Sequence, residues 1–260
     1  TNMCCAPIVL KKILNTKFKL KKRVEVLMAG AAPSVKLIKE IEKRKFNITH
    51  MYGLAESSSS LVCEFQDKWK KDKLPLEVYK SHQGVRNLVL EKVKVVNKKT
   101  KKNVKKNGKE TGEIYLKGNT VTSGYFHDKN KTKNSFENGW FMTGDLAVVH
   151  ENGYIEIKDR IKDIIISGGE NISSIEIETV LDSHPMIEKS AVVGEKDKTW
   201  GERPIAFVQL KTQSKLNEKK ILSFCKSKLA KYKVPNRIIF TKLDVTPTGK
   251  IKKYLLKKNI

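Results

Sequence analysis

A chain of 260 residues, 39% hydrophobic and 31% charged, has a globular composition and can bury one large core or two smaller ones. Its formal net charge of +25 invites a nucleic acid or an anionic membrane, but only six of the 53 basic residues are arginine and the lysines lie in runs such as KKNVKKNGK without interleaved aromatics, so the charge reads first as a solvated lysine-rich surface and only second as a basic nucleic-acid-binding protein. No apolar run approaches the ~20 residues of a membrane span.

In chain order, VEVLMAG at 24–30 predicts a strand running into a glycine turn. Ser34 can cap a helix with Leu37, Ile38, Ile41 and Phe46 along one stripe. Asn47 to Tyr52 predict a second strand ending at Gly53. Such a βαβ unit has parallel strands, so the loops Gly30-Ala31-Ala32-Pro33 and Tyr52-Gly53-Leu54-Ala55-Glu56 leave the same carboxyl edge, where open α/β sheets bind ligands. Residues 57–84 look irregular. Alternating stretches follow at Val85–Val96, Glu113–Lys117, Leu146–His150 and Tyr154–Lys158, with a hairpin signal at Glu151-Asn152-Gly153 and a lysine-rich loop near 98–109.

The pattern changes at Asp159-Arg160-Ile161-Lys162-Asp163. Beyond it, Ser173 and Glu176 form a possible capping box before a stripe of Ile177, Val180 and Leu181. Short strands are expected at Ala191–Val193, Ile205–Leu210 and Arg237–Thr241, with a helix over Asn217–Ala230 presenting Ile221, Leu222, Cys225 and Leu229. The expected architecture is α/β plus α+β. A βαβ sheet with an antiparallel β subdomain fills 1–160, and a small mobile α+β domain fills 161–260.

The four cysteines, Cys4, Cys5, Cys63 and Cys225, form no C-x-x-C pair, and no histidine sits at zinc-like spacing. They read as reduced thiols. The start TNMCCAPIVL shows no initiator methionine, charged n-region or cleavage signature, so it is expected to be interior to a longer chain. The end, Lys257-Lys258-Asn259-Ile260, is not a Ser-Lys-Leu type signal. The expected compartment is the cytoplasm.

Four segments carry chemistry: His50-Met51-Tyr52-Gly53-Leu54-Ala55-Glu56, Gly139-Trp140-Phe141-Met142-Thr143-Gly144-Asp145, the run from Gly153 to Asp163 with Ser167-Gly168-Gly169-Glu170-Asn171, and Thr246-Pro247-Thr248-Gly249-Lys250. In this order they resemble the adenylate-forming superfamily of acyl-CoA synthetases, luciferases and peptide-synthetase adenylation domains, from end to end of the chain. GNTVTSGYF, TGDLAVVHENGYIEIKDR and ISGGENISS resemble the group acting on short- or medium-chain fatty acids and simple aromatic acids.

The resemblance implies an acid–thiol ligase that uses ATP, Mg²⁺ and CoA. Joining a carboxylate to a triphosphate brings two anions together, so catalysis is mainly positioning and charge neutralisation. Glu56 suits a Mg²⁺ held against phosphates, and Lys250 would bridge the carboxylate and the α-phosphate. Tyr52 offers a face to adenine and Asp145 a carboxylate to the ribose diol; Arg160 would approach phosphate or ribose. The implied nucleotide-binding set is Gly30, Ala31, Ala32, Pro33, Met51, Tyr52, Gly53, Leu54, Ala55, Asp145, Ile157 and Arg160. Each has a plainer reading beside this one: tight turns for the glycine loops, a core aromatic for Tyr52, a wall residue for Ile157, and a surface ion pair for Arg160. Lys162 falls where the family hinges. Ser167, Gly168 and Gly169 would face the pantetheine path, and Lys231, Tyr232 and Lys233 the CoA phosphates or merely solvent.

Two departures stand out. Ala55 replaces the family's usual hydroxyl residue, a loss of one hydrogen bond worth about 0.5–1.5 kcal/mol. No glycine-rich phosphate loop occurs in the chain. The chain is therefore expected to be the C-terminal part of an enzyme, weak alone, with exposed sheet edges. A non-catalytic remnant is the alternative.

Overall fold

Helix formation between two parallel strands sets the start of the chain. β1 (Asn2–Cys5) is followed by α1 (Pro7–Leu14), β2 (Val24–Met28), α2 (Val35–Glu42) and β3 (Phe46–Leu54), and β1, β2 and β3 pair in parallel. The computed structural model describes residues 1–17, 20–62, 75–211, 216–246, 249–258 and 260. Cys63 and the Pro247-Thr248 pair lie outside them. Contacts part the chain into two compact units, Thr1–Ile157 and Lys158–Ile260.

In the first unit, the Ser34 hydroxyl accepts from the Leu37 N–H at 3.2 Å and starts α2. Leu37 and Ile41 then pack with Val26, Met28 and Ile48. Phe46 joins that core from β3 rather than from the helix, because α2 stops at Glu42 and Lys45, at φ 67°, turns the chain. β3 is also longer than expected. Its parallel pairing with β2 ends at His50, and it then pairs antiparallel with β4 (Ser58–Val62). Tyr52, Gly53 and Leu54 are thus on a strand, and Ala55, Glu56 and Ser57 form the turn. The register shifts between Tyr52 and Gly53. A Cβ on Gly53 would sit 2.0 Å from the Ser58 carbonyl oxygen, so no side chain fits there.

Serines 57–60 fall within residues 57–84, the partly polar stretch expected to be irregular. Ser58 to Ser60 fold as strand in pairing with β3, and Ser60 hydrogen-bonds the buried turn residue Ser57 at 2.7 Å. After α3 (Leu76–Ser81), β5 (Val85–Arg86) closes this first sheet. The second sheet contains β6 (Lys92–Val96), β7 (Gly112–Lys117), β8 (Phe136–Glu137), β9 (Trp140–Val149) and β10 (Ile155–Arg160), in the order β10-β9-β7-β6 with β8 on β9. α4 (Lys129–Asn134) precedes β8. Leu61, Leu90, Ile114, Leu116, Phe141 and Ile155 share one core.

The second unit has β11 (Ile165–Ser167), β12 (Glu170–Ile172), α5 (Ser174–Asp182), β13 (Ile187–Asp197), β14 (Gly201–Leu210), α6 (Glu218–Lys226), β15 (Ile238–Phe240) and α7 (Lys253–Lys257). Only half of the expected capping box forms. Ser173 caps Glu176 N–H at 3.1 Å, but the Glu176 carboxylate takes Lys233 Nζ at 2.8 Å. Ile177, Leu181, Ile221 and Cys225 cover one face of the β13–β14 sheet, and burial pushes the Cys225 thiol up to about 11. Leu243, Ile251 and Leu256 cover the other. The C-terminal segment is therefore packed, not loose. Among the described residues, no helix is long and apolar enough to cross a membrane.

His50, 2% exposed, sits at the end of the parallel pairing with Nδ1 2.9 Å from the His82 carbonyl. The carbonyl requires Nδ1 to donate, and burial pulls the His50 pKa from 6.5 down to about 4, which keeps the ring neutral near pH 7. The unfolded chain takes up this proton near 6.5 and the folded chain only near 4. Stability is therefore full above that window and falls as pH drops through it, by about 3 kcal/mol at most from this residue. Thermal midpoints from pH 7 to 4 should fall more steeply in the native chain than in His50→Gln. Parallel curves would refute the assignment.

Candidate functional site

In the first unit, the Tyr52 hydroxyl on β3 donates to Asp145 Oδ2 on β9 at 2.6 Å. These residues stand 93 apart in sequence. A register shift between Glu113 and Tyr115 bulges the β7–β9 ladder beside Thr143-Gly144-Asp145, a device that re-aims side chains. Gly144, at φ 75°, donates its N–H to Glu113 Oε1 at 2.8 Å. Thr143 Oγ1 accepts from the Asp145 N–H at 3.1 Å and donates to the Ile114 carbonyl at 2.9 Å. Asp145 is 3% exposed, with its carboxylate accepting from Tyr52 and its backbone N–H held by Thr143. It is a preformed acceptor for hydroxyl donors.

Glu56 lies half-buried on the β3–β4 turn. The Tyr125 hydroxyl donates to Glu56 Oε1 at 2.9 Å, and the Thr122 N–H to the Glu56 carbonyl at 2.6 Å. Burial first, then Glu56, raises the Tyr125 phenol pKa. The GNTVTSGYF segment is thus fastened to the turn. Tyr125 and Thr122 had no assigned role in the sequence reading, although the segment was singled out. One oriented carboxylate is a donor set that fits Mg²⁺, which typically takes one or two protein carboxylates and fills the rest of its shell with phosphate and water.

Gly30, at φ 93°, turns the chain after β2, leaving Ala31 half-buried, Ala32 exposed and Pro33 buried. Met51 pairs with Val62. Ile157 packs half-buried on the second-sheet core and donates its N–H to Gln83 Oε1 at 2.6 Å, as a wall residue would.

In the second unit, Arg160 is exposed beside Asp159, which is 1% exposed and accepts from the Ser174 hydroxyl at 2.7 Å. Lys162 is exposed in a 3-10 turn, Ile161–Asp163, and its carbonyl accepts from Lys257 Nζ at 2.8 Å. Gly168 and Gly169, at φ 59° and 84°, make the two-residue turn between β11 and β12, a conformation that glycine tolerates. Lys231, Tyr232 and Lys233 form a 3-10 turn, in which Lys231 and Tyr232 are exposed and Lys233 is engaged by Glu176. Lys250 is exposed at the end of a loop closed by a Val245–Ile251 bridge and by the Thr246 N–H donating to the Lys250 carbonyl at 2.8 Å.

The family model for AMP-binding enzymes matches residues 1–126, and that for the AMP-binding enzyme C-terminal domain matches 176–250. The chain belongs to the adenylate-forming, AMP-binding superfamily. It is 46% identical over 99% of its length to a probable acyl-activating enzyme 10 of Arabidopsis thaliana, covering 49% of that protein. It is 44% identical to the peroxisomal trans-cinnamate:CoA ligase of Petunia hybrida, again over 99% of the chain and 46% of the relative. Among solved structures, 99% of the chain superposes on 51% of the o-succinylbenzoate coenzyme A synthetase of Bacillus subtilis bound to ATP and magnesium, with TM-score 0.83 and 28% identity. The mixed α/β architecture is that of the superfamily. The chain spans about half the length of the curated relatives it matches. One of those relatives is named peroxisomal, so membership alone assigns no compartment.

Proposed function

We propose that the chain is the carboxyl-terminal part of an AMP-forming acyl-CoA synthetase. The reaction joins a carboxylic acid and ATP to give acyl-AMP and pyrophosphate, and then transfers the acyl group to the CoA thiol with release of AMP. The Tyr52–Asp145 hydrogen bond carries this reading: two motifs 93 residues apart meet where a nucleoside's ring and diol would be bound. Asp145 would accept the ribose hydroxyls, and the Tyr52 ring would lie along the adenine. Glu56 would hold Mg²⁺, which supplies positive charge to the phosphate oxygens when bound. Gly30 to Pro33 would bring backbone close to the nucleotide, with Met51, Leu54 and Ile157 as walls. Arg160 and Lys250 belong to the second unit, the mobile lid of this proposal, and Lys162 is its pivot. The Gly168-Gly169 turn would border the pantetheine, and the Lys231–Lys233 turn the CoA phosphates, with Lys231 available and Lys233 committed to Glu176.

The acid we propose is a short- or medium-chain fatty acid, with an aromatic acid second. Motif resemblance supports the first and the petunia relative the second. The compartment proposed with it is the cytoplasm. Pyrophosphate release by the full-length protein over a panel of such acids should show one class favoured and should require magnesium. Release of ADP and phosphate instead would end the proposal.

A further inference from the structure

Three ligand-type side chains meet in the first unit, and none has a part in the chemistry above. His82 follows α3, His150 follows β9, and Glu156 lies on β10. His150 Nε2 is 2.8 Å from Glu156 Oε2, and His82 Nε2 is 3.9 Å from the same oxygen. One donor atom from each of the three lies within 4.8 Å of the others. The imidazoles stack, with centroids 5.0 Å apart and planes 2° from parallel.

Two imidazoles converging on one carboxylate make the donor set of a borderline divalent cation such as Zn²⁺. Tetrahedral bonds of about 2.0–2.1 Å place ligand atoms roughly 3.4 Å apart. The two separations to the carboxylate oxygen bracket that value and the third lies within 4.8 Å, so a cation needs the two imidazoles to tilt out of their stack and close by about an ångström.

The backbone beneath these groups is fixed. The Gln83 and Gly84 N–H groups both donate to the Ile155 carbonyl at 3.2 Å, and the Ile155 N–H returns to Gly84 at 2.7 Å. The His150 N–H donates to Tyr154 at 2.8 Å across the hairpin. His50 holds the His82 carbonyl from below. Gly108 leaves room for the His150 ring, since a Cβ there would lie 2.8 Å from Nδ1. A site whose ligands stand on pinned backbone loses little freedom on binding.

We propose that His82, His150 and Glu156 bind one zinc-type divalent cation, with the remaining coordination position left to water. Bound there, the cation ties the loop after α3 to the β9–β10 hairpin and stabilises the first unit. It is a different ion from the Mg²⁺ of the nucleotide reaction, whose donors are hard oxygens.

The test uses the full chain, purified without a histidine tag and stripped with a chelator. Zn²⁺ titrated against a chromophoric indicator at pH 7.5 should bind at one equivalent with micromolar affinity or better and raise the thermal midpoint. Co²⁺ should give visible bands without the near-ultraviolet charge transfer of thiolate ligation, which separates this site from the cysteines. His150→Ala and Glu156→Gln should each weaken binding at least tenfold while melting, metal-free, close to the native chain. Glu156→Gln preserves shape, so it serves if the alanine variant folds poorly. Absence of stoichiometric binding, native affinity in both variants, or a thiolate spectrum would each overturn the proposal. In those cases Glu156 serves only as the hydrogen-bond acceptor of His150.

Discussion

Replacing Lys250 by alanine in the full-length protein is expected to slow acyl-adenylate formation by on the order of 10²–10³, the usual cost of one preorganised charge-stabilising donor. Conversion of supplied acyl-adenylate to acyl-CoA should stay near normal. Only the first half-reaction gathers negative charge between carboxylate and α-phosphate. Lys162→Pro should do the reverse. Lys162 stands in the Ile161–Asp163 turn; proline there fixes φ and drives Ile161 out of the helical region. A pivot so fixed would block the lid rotation that the second step needs. The two half-reactions are assayed separately on both variants. Equal loss of both steps in both proteins would rule out a two-state lid.

Lys253→Met should destabilise the second unit at pH 8 by about 1–3 kcal/mol, less than for a fully buried pair because each side chain is 17% exposed. Lys253 Nζ is 2.7 Å from both Glu178 Oε1 and Ser174 Oγ, and Ser174 in turn donates to Asp159. Glu178 also accepts from the Val192 N–H at 2.7 Å. Burial pushes the Glu178 carboxyl up to about 7 against the pull of Lys253. The folded state thus keeps this proton to a higher pH than the unfolded chain, whose carboxyl titrates near 4.5. Its contribution to stability declines as pH rises from about 4.5 to about 7 and is flat above. Without Lys253 the ionised carboxylate is stranded, so the variant's deficit should grow with pH. Adding Glu178→Gln should recover much of it. Denaturant midpoints at pH 5 and 8 measure both effects; a deficit independent of pH would refute the pairing.

The βαβ start was legible because its signals are local: the Ser34 cap, the Leu37-Ile38-Ile41 stripe and the glycine turn. The β4 strand was not, because its three serines hide a pairing dictated by β3. Nor was α7, whose five residues, KYLLK, carry too little periodicity to announce a helix. Its position depends on Lys253 and Leu256 finding partners on α5 and the sheet. The nucleotide motifs named Tyr52, Glu56 and Asp145 as residue types, but their hydrogen bonds to one another and to Tyr125 are tertiary facts. The His82–His150–Glu156 cluster was invisible for the same reason. Two of its members are separated by 68 residues and come together only through the loop that Gln83 and Gly84 pin to β10.

The turn at Gly168 carries one more consequence. Its backbone N–H donates to the Trp200 carbonyl at 2.8 Å, and the Trp200 ring covers it closely enough that a Cβ would lie 2.8 Å from ring carbon Cε3. That indole is 53% exposed. Trp140, in the other unit, lies under Lys94 Nζ at 4.2 Å. Among the described residues, each unit therefore has one tryptophan, in a distinct electrostatic setting. If the glycine pair borders the pantetheine as proposed, a ligand seated there is expected to displace water from the Trp200 ring and shift the colour of its emission, with no label attached.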